Sequence, residues 1–182
     1  MHRQGLSRIT KSWEQCTAEM IKAVVFDLDG TLANIPIDYE KLFEKFRKIM
    51  NMDNVRPLAD TVSKVNTQTR KQVFKAWDTE ELAVSKKVTF NEEGIGIYRK
   101  FANKPKALVT MQGKKVVKII LEKAELAFEF IVTREDTLSR VEQLEKATET
   151  LGAQHKDMLF VGNTNNDFIA AKKLGCQFLK IE

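Results

Sequence analysis

Val24-Val25-Phe26-Asp27-Leu28-Asp29-Gly30-Thr31-Leu32 carries the strongest signal in the chain. An apolar run with strand character ends in two carboxylates spaced i, i+2, followed at once by Gly-Thr. Asp, Asp, Gly and Thr at fixed spacing arise by chance at about one position in 10⁵ at average composition. In a chain of 182 residues the match is therefore informative. Open α/β sheets bind ligands beyond the carboxyl ends of their strands. Both acids thus stand where chemistry is expected, which favours a functional role over a turn that merely caps backbone donors.

Beyond residue 91 the pattern alternates. A helical stretch over 91–103 precedes Ala107-Leu108-Val109-Thr110, and Val116, Val117, Ile120, Leu121 and Ala124 then recur at helical spacing. Residues 128–132 read as a strand, and Val141, Leu144, Thr148 and Leu151 as a helix stopped at Gly152. Residues 158–161 form another apolar strand, Phe168, Ala171 and Leu174 line a helix stopped at Gly175, and residues 178–181 close the chain. This alternation predicts an α/β fold, a Rossmann-like parallel sheet with helices on both faces.

Between 35 and 89 no strand is legible. Tyr39, Leu42, Phe43, Phe46, Ile49 and Met50 share one helical face, with Asp38 as N-cap. Leu58, Val62 and Val65 predict a second helix, and Val73, Phe74 and Trp77 a third. A parallel crossover needs only about a dozen residues. The surplus predicts an inserted helical cap over the carboxyl edge of the sheet. The expected organisation is an N-terminal extension (1–19), an α/β core (20–34 and 90–182) and a helical cap (35–89). Met20, directly ahead of the first strand, is a candidate natural start.

Composition sets the outer bounds. Hydrophobic residues at 43% and charged residues at 30% exclude a disordered chain. No run approaches the roughly 18 apolar residues of a membrane span, so no membrane association is expected. Cys16 and Cys176 lie far apart, which excludes a zinc ribbon or disulfide scaffold and fits a reducing, cytoplasmic setting. The net charge of +5 permits an anionic partner. The pairs Lys86-Lys87, Lys114-Lys115 and Lys172-Lys173 are scattered, which argues against a nucleic-acid stripe. Residues 35–89 hold eleven Lys and Arg against eight Asp and Glu, so the excess falls mainly on the expected cap and suits steering of a small anion. Trp13, His2 and His155 have no partner at ligand spacing, and no oligomeric state is legible.

The motifs resemble those of the haloacid dehalogenase superfamily, and the resemblance covers residues 20–182. Its first motif is Asp-x-Asp-Gly-Thr. By that resemblance Asp27 is the nucleophile, forming a phosphoaspartyl intermediate, and Asp29 is the general acid and base. An acid at the second position resembles the superfamily's phosphatases and phosphomutases. Thr110, ahead of Met111-Gln112-Gly113, matches the second motif, which implies phosphoryl binding by Thr110, Met111 and Gln112. A helix N-terminus there would offer backbone donors to the same anion.

The third motif, a Lys, is not matched. The usual spacing lands near Leu138, with Arg134, Arg140 and Lys146 nearby. Ser139-Arg140-Val141-Glu142 reads as a capping box, which sets Arg140 in a first helical turn at the active edge and makes it the candidate catalytic and substrate-binding cation. In the fourth motif, Val161 to Asp167, Asn163 stands where the superfamily usually has a metal-binding Asp, and Asp167 matches the second acid. The implied cofactor is Mg²⁺, held by Asp27, the backbone carbonyl of Asp29 and Asn163, with Asp167 direct or through water. An amide brings no negative charge, so weaker Mg²⁺ binding is expected. Asn34, Ile37 and Asp38 are expected to face the site from the hinge. The expected function is Mg²⁺-dependent hydrolysis of a small phosphomonoester. Phosphomutase-type transfer, or a non-catalytic binding protein on a decayed scaffold, are the alternatives.

Overall fold

The computed structural model describes residues 20–182; the extension, with His2, Trp13 and Cys16, lies outside the described residues. Strand β1 (Ala23–Phe26) is buried along its whole length, as a central parallel strand covered on both faces must be. It pairs in parallel with β4 (Lys106–Val109) and β6 (Met158–Gly162). The outer strands β5 (Phe130–Val132) and β7 (Gln177–Lys180) complete a five-stranded sheet in the order β5-β4-β1-β6-β7. The Rossmann-like α/β expectation holds. The chain builds from β1 towards β5, then returns to add β6 on the other flank, so a topological switch point lies at the carboxyl end of β1.

Side-chain alternation splits the core in two. Val24, Phe26, Leu108 and Val161 face helices α4 (Glu92–Lys100) and α5 (Lys114–Ala124), meeting Ile95, Val116 and Ile120. Ala23, Val25, Val109 and Phe160 face α6 (Arg140–Leu151) and α7 (Asn165–Leu174), meeting Leu144, Ala147, Ala170 and Ala171. Gly152 and Gly175 stop these two helices, as their spacing predicts.

Three helices follow β1: α1 (Tyr39–Met50), α2 (Leu58–Lys64) and α3 (Thr67–Val84). They bury a cluster of their own, with Leu42, Phe46, Val62, Val73 and Trp77. Asp38 caps α1 by accepting from Lys41 N at 3.0 Å. Two details differ from the sequence reading. A two-residue antiparallel ladder joins β2 (Ala33–Asn34) to β3 (Thr89–Phe90), too short to leave a pattern. The strand expected over 128–132 shortens to Phe130–Val132.

Candidate active site

Asp27 directly follows β1; it is 3% exposed and donates its N–H to Val161 O at 2.9 Å. The chain then folds sharply. Leu28 O accepts from the N–H groups of Thr31, Leu32 and Ala33. Gly30 sits at φ +80°, and a Cβ there would lie 1.9 Å from Asn163 Nδ2. Only glycine lets this turn lie against the end of β6. The turn brings Thr31 Oγ1 to 3.3 Å from Asp27 Oδ2 and 3.4 Å from Asn163 Oδ1.

Arg140, in the first turn of α6, reaches across the carboxyl edge. Its Nη2 donates to Asp27 Oδ1 at 2.8 Å, and its Nε lies 2.9 Å from Asp167 Oδ1. The rigid guanidinium fork spans both acids at once, a geometry that a lysine ammonium lacks. Its Nη1 donates to Gln143 Oε1 at 2.9 Å. Gln143 is fully buried and donates through Nε2 to Thr110 O at 2.9 Å and Thr137 O at 3.0 Å. Asp167 Oδ2 accepts from Thr164 N and Oγ1, a reciprocal capping box on α7. The box expected at Ser139–Glu142 is half formed: Ser139 accepts from Glu142 N, but the Glu142 carboxylate turns to Thr137 Oγ1.

Burial pushes Asp27 up to about 7; Arg140 opposes this, and the charges of Asp167 and Asp29 reinforce it. Asp29 is also raised by burial, against the bonds it accepts from Ile35 N at 2.9 Å and Tyr39 Oη at 3.2 Å. Two adjacent acids with raised proton affinity are the environment a general acid needs near neutral pH.

The second-motif residues bond to one another and to neighbouring side chains. Thr110 is buried, and its hydroxyl donates to Gln112 Oε1 while accepting from Gln112 N. Gln112 folds back on Thr110 and is itself buried. Two backbone donors at the N-terminus of α5 are already engaged by carboxylates. Gly113 N donates to Glu81 Oε2 at 3.1 Å and Lys114 N to Glu135 Oε1 at 3.1 Å. The positive end of a helix attracts any carboxylate within reach, and here the chain supplies its own. Met111 gives its carbonyl to Arg134 Nη1 at 3.1 Å. Arg134 pairs through Nη1 and Nη2 with Glu81 and Asp78 of α3. Asn34 is paired in β2, Ile37 packs into the core and Asp38 is used as a cap, so the expected hinge contact falls to Tyr39 instead.

Sequence reasoning missed Tyr39, Gln143 and Glu81 as polar partners of the site. Gln143 had a signal: it stands beside Leu144 and one turn before Ala147 on the buried side of α6, where an amide must find partners. Tyr39 read as part of an apolar face and Glu81 matched no motif, so neither stood out.

The oxygen donors here suit a hard divalent cation. Asp27 and Asn163 meet through Thr31, and Asp167 Oδ1 is buried with no hydrogen-bond donor, facing only the charge of Arg140. Among the described residues no three His, Cys, Asp or Glu side chains form a metal cluster, so the amide of Asn163 and a backbone carbonyl would have to complete such a shell.

Beside the acids lies a cavity of about 670 Å³, lined by Tyr39, Phe43 and Trp77 from the helical segment and by Met111, Arg140 and Thr164 from the sheet edge. A sequence profile of the haloacid dehalogenase-like hydrolases matches residues 45–181. The chain belongs to that family. The match begins after Asp27, so the first motif stands on its own position at the end of β1. A Clostridium perfringens protein bearing the name pyrophosphatase PpaX is 28% identical over 187 residues, covering 87% of this chain and 82% of that protein. A haloacid dehalogenase-like family protein from Streptococcus pneumoniae superposes with a TM-score of 0.66 at 17% identity, over 90% of this chain and 86% of that one. A haloacid dehalogenase family enzyme from Bacteroides thetaiotaomicron, solved with magnesium and inorganic phosphate, superposes with a TM-score of 0.53 at 16% identity, over 89% and 94% of the two chains.

Proposed function

We propose that this protein is a phosphatase that hydrolyses a small phosphomonoester through a phospho-Asp27 intermediate. The observation that carries the reading is the pair Asp27 and Asp29 at the carboxyl end of the central strand, with Arg140 Nη2 2.8 Å from Asp27 Oδ1. Asp27 attacks phosphorus in line with the leaving oxygen, and the phosphorus–oxygen bond to the alcohol breaks. Asp29 passes its proton to that oxygen. It then takes a proton from water, whose oxygen displaces Asp27 and releases phosphate. Arg140 orients Asp27 and offsets charge on the phosphoryl oxygens. Asp27, the carbonyl of Asp29, Asn163 and Asp167 are the residues that would hold Mg²⁺. When bound, the cation supplies neutralisation between two anions, nucleophile and phosphoryl group. The helices over 39–84 act as a cap that selects the leaving group and excludes water from the first step. The cytoplasm is the proposed setting.

Phosphate release from a panel of monoesters, with pyrophosphate included because the Clostridium perfringens relative carries that name, tests the reading. Asp27→Asn is expected to lower turnover by about 10³-fold or more. Retained turnover in that variant rules Asp27 out as nucleophile. Asn163→Asp is expected to lower the Mg²⁺ concentration for half-maximal rate, since it adds a charged ligand. Activity that appears only in Asn163→Asp would favour the decayed scaffold.

A further inference from the structure

The cavity beside Asp27 and Arg140 has a one-sided chemistry. Its walls are mainly aromatic and aliphatic, with Tyr39, Phe43, Trp77, Leu138 and Ile169 among them. Among the described lining residues Arg140 is the one cation, and it is held between Asp27 and Asp167. The other formal charge on the lining is an acid, Asp60, paired with Lys64 at 2.6 Å. No basic residue of the helical segment is among the lining residues, and four of them are engaged elsewhere. Lys41 and Lys45 both pair with Glu80, Arg56 pairs with Glu40 and stacks 4.5 Å from the Phe43 ring, and Arg70 donates to backbone carbonyls of Val62, Ser63 and Val65. The positive excess read from residues 35–89 therefore does not line the cavity.

Resting on the phosphatase reading above, we infer that the leaving group is an uncharged, largely apolar alcohol, and that the site rejects substrates whose leaving group is a second phosphate. The site splits by charge. Arg140 and the oxygen ligands around Asp27 serve a single phosphoryl group. The cavity behind them offers rings and methyl groups, with neutral polar atoms from Ser63, Ser139 and Asn166 at its margin. A second phosphoryl group would leave water for walls with no free cation, and a buried anion without a partner is strongly disfavoured. An apolar alcohol gains from the same walls by losing contact with water. About 670 Å³ lies within the roughly 300–1,000 Å³ typical of sites for small organic ligands.

Two unreactive analogues at saturating Mg²⁺ separate the cases. Benzylphosphonate mimics an aromatic monoester and methylenediphosphonate mimics pyrophosphate. Calorimetry on the wild-type protein is expected to give at least about tenfold tighter binding of benzylphosphonate, and Ser63→Lys, an exposed change at the cavity margin, is expected to narrow that gap. Methylenediphosphonate binding as tightly or more tightly overturns the inference, as does failure of both analogues to bind. Phosphate release from aromatic and aliphatic monoesters is measured alongside. If no ester is turned over, the phosphatase reading fails whichever analogue binds. If pyrophosphate is the better substrate, the phosphatase reading's chemistry survives and the leaving-group assignment does not.

Discussion

Asp27 and Asp167 share one guanidinium, yet Asp27 still holds its proton up to about pH 7 because burial outweighs Arg140. This couples the nucleophile to stability. A free Asp titrates near 3.9. Between that value and about 7 the folded, metal-free protein keeps a proton that the unfolded chain releases. The contribution is full below the unfolded value and is lost as pH rises through the folded one. In EDTA, Tm is expected to fall from pH 5 to pH 8, and Asp27→Asn is expected to flatten part of that fall. Asp29 and Glu81 are raised in the same direction and keep the rest. An unchanged slope in Asp27→Asn removes Asp27 as its source. Asp27 and Asp29 were legible because a fixed spacing at a strand end marks them, and Asn163 and Asp167 only through the resemblance of the fourth motif. The bond from the Thr110 hydroxyl to Gln112 was not legible, because it is chosen by a side-chain rotamer that no spacing encodes.

At the junction of α3 and α5, Arg134 donates to Glu81 Oε1 at 2.6 Å, pairs with Asp78 and lies 4.6 Å from the Trp77 ring. Glu81 is itself buried and holds the N-terminus of α5 through Gly113 N. The helical segment is thus tied to the sheet by buried charge, where removal of one partner strands the other. Arg134→Leu is expected to destabilise the protein by about 3–5 kcal/mol in urea unfolding. Glu81→Leu added to it should restore part of that loss, with a coupling above about 1 kcal/mol. A cycle with no coupling shows that the pair acts through independent packing. Asp78 and Glu81, three apart on α3, carry no sequence signal that marks them as a docking face. Their partner lies more than fifty residues away, a separation that helical periodicity cannot bridge.

The described residues form three apolar clusters, one on each face of the sheet and one inside α1–α3. Amides of β1 and β6, buried between helices, are expected to exchange hydrogen only on global unfolding. Those of α1 and α2, whose cluster is separate, are expected to exchange through a cheaper local opening that Arg134→Leu makes cheaper still. Native-state exchange with equal protection in both regions contradicts this. The alternation of strands and helices made the sheet readable from composition and period alone, since each buried strand is an apolar run of about the right length. The β2–β3 ladder was invisible because two residues carry no period.

That ladder fixes the topology of the helical segment in a simple way. Ala33 lies opposite Phe90 and Asn34 opposite Thr89, so the chain leaves the sheet and rejoins it at one spot. Whatever is spliced between them is a closed excursion, and doubling the length of such a loop costs only about 0.6 kcal/mol. The five-stranded register is therefore blind to the size of the insert. The scaffold can trade one set of helices for another without relearning how to fold its sheet.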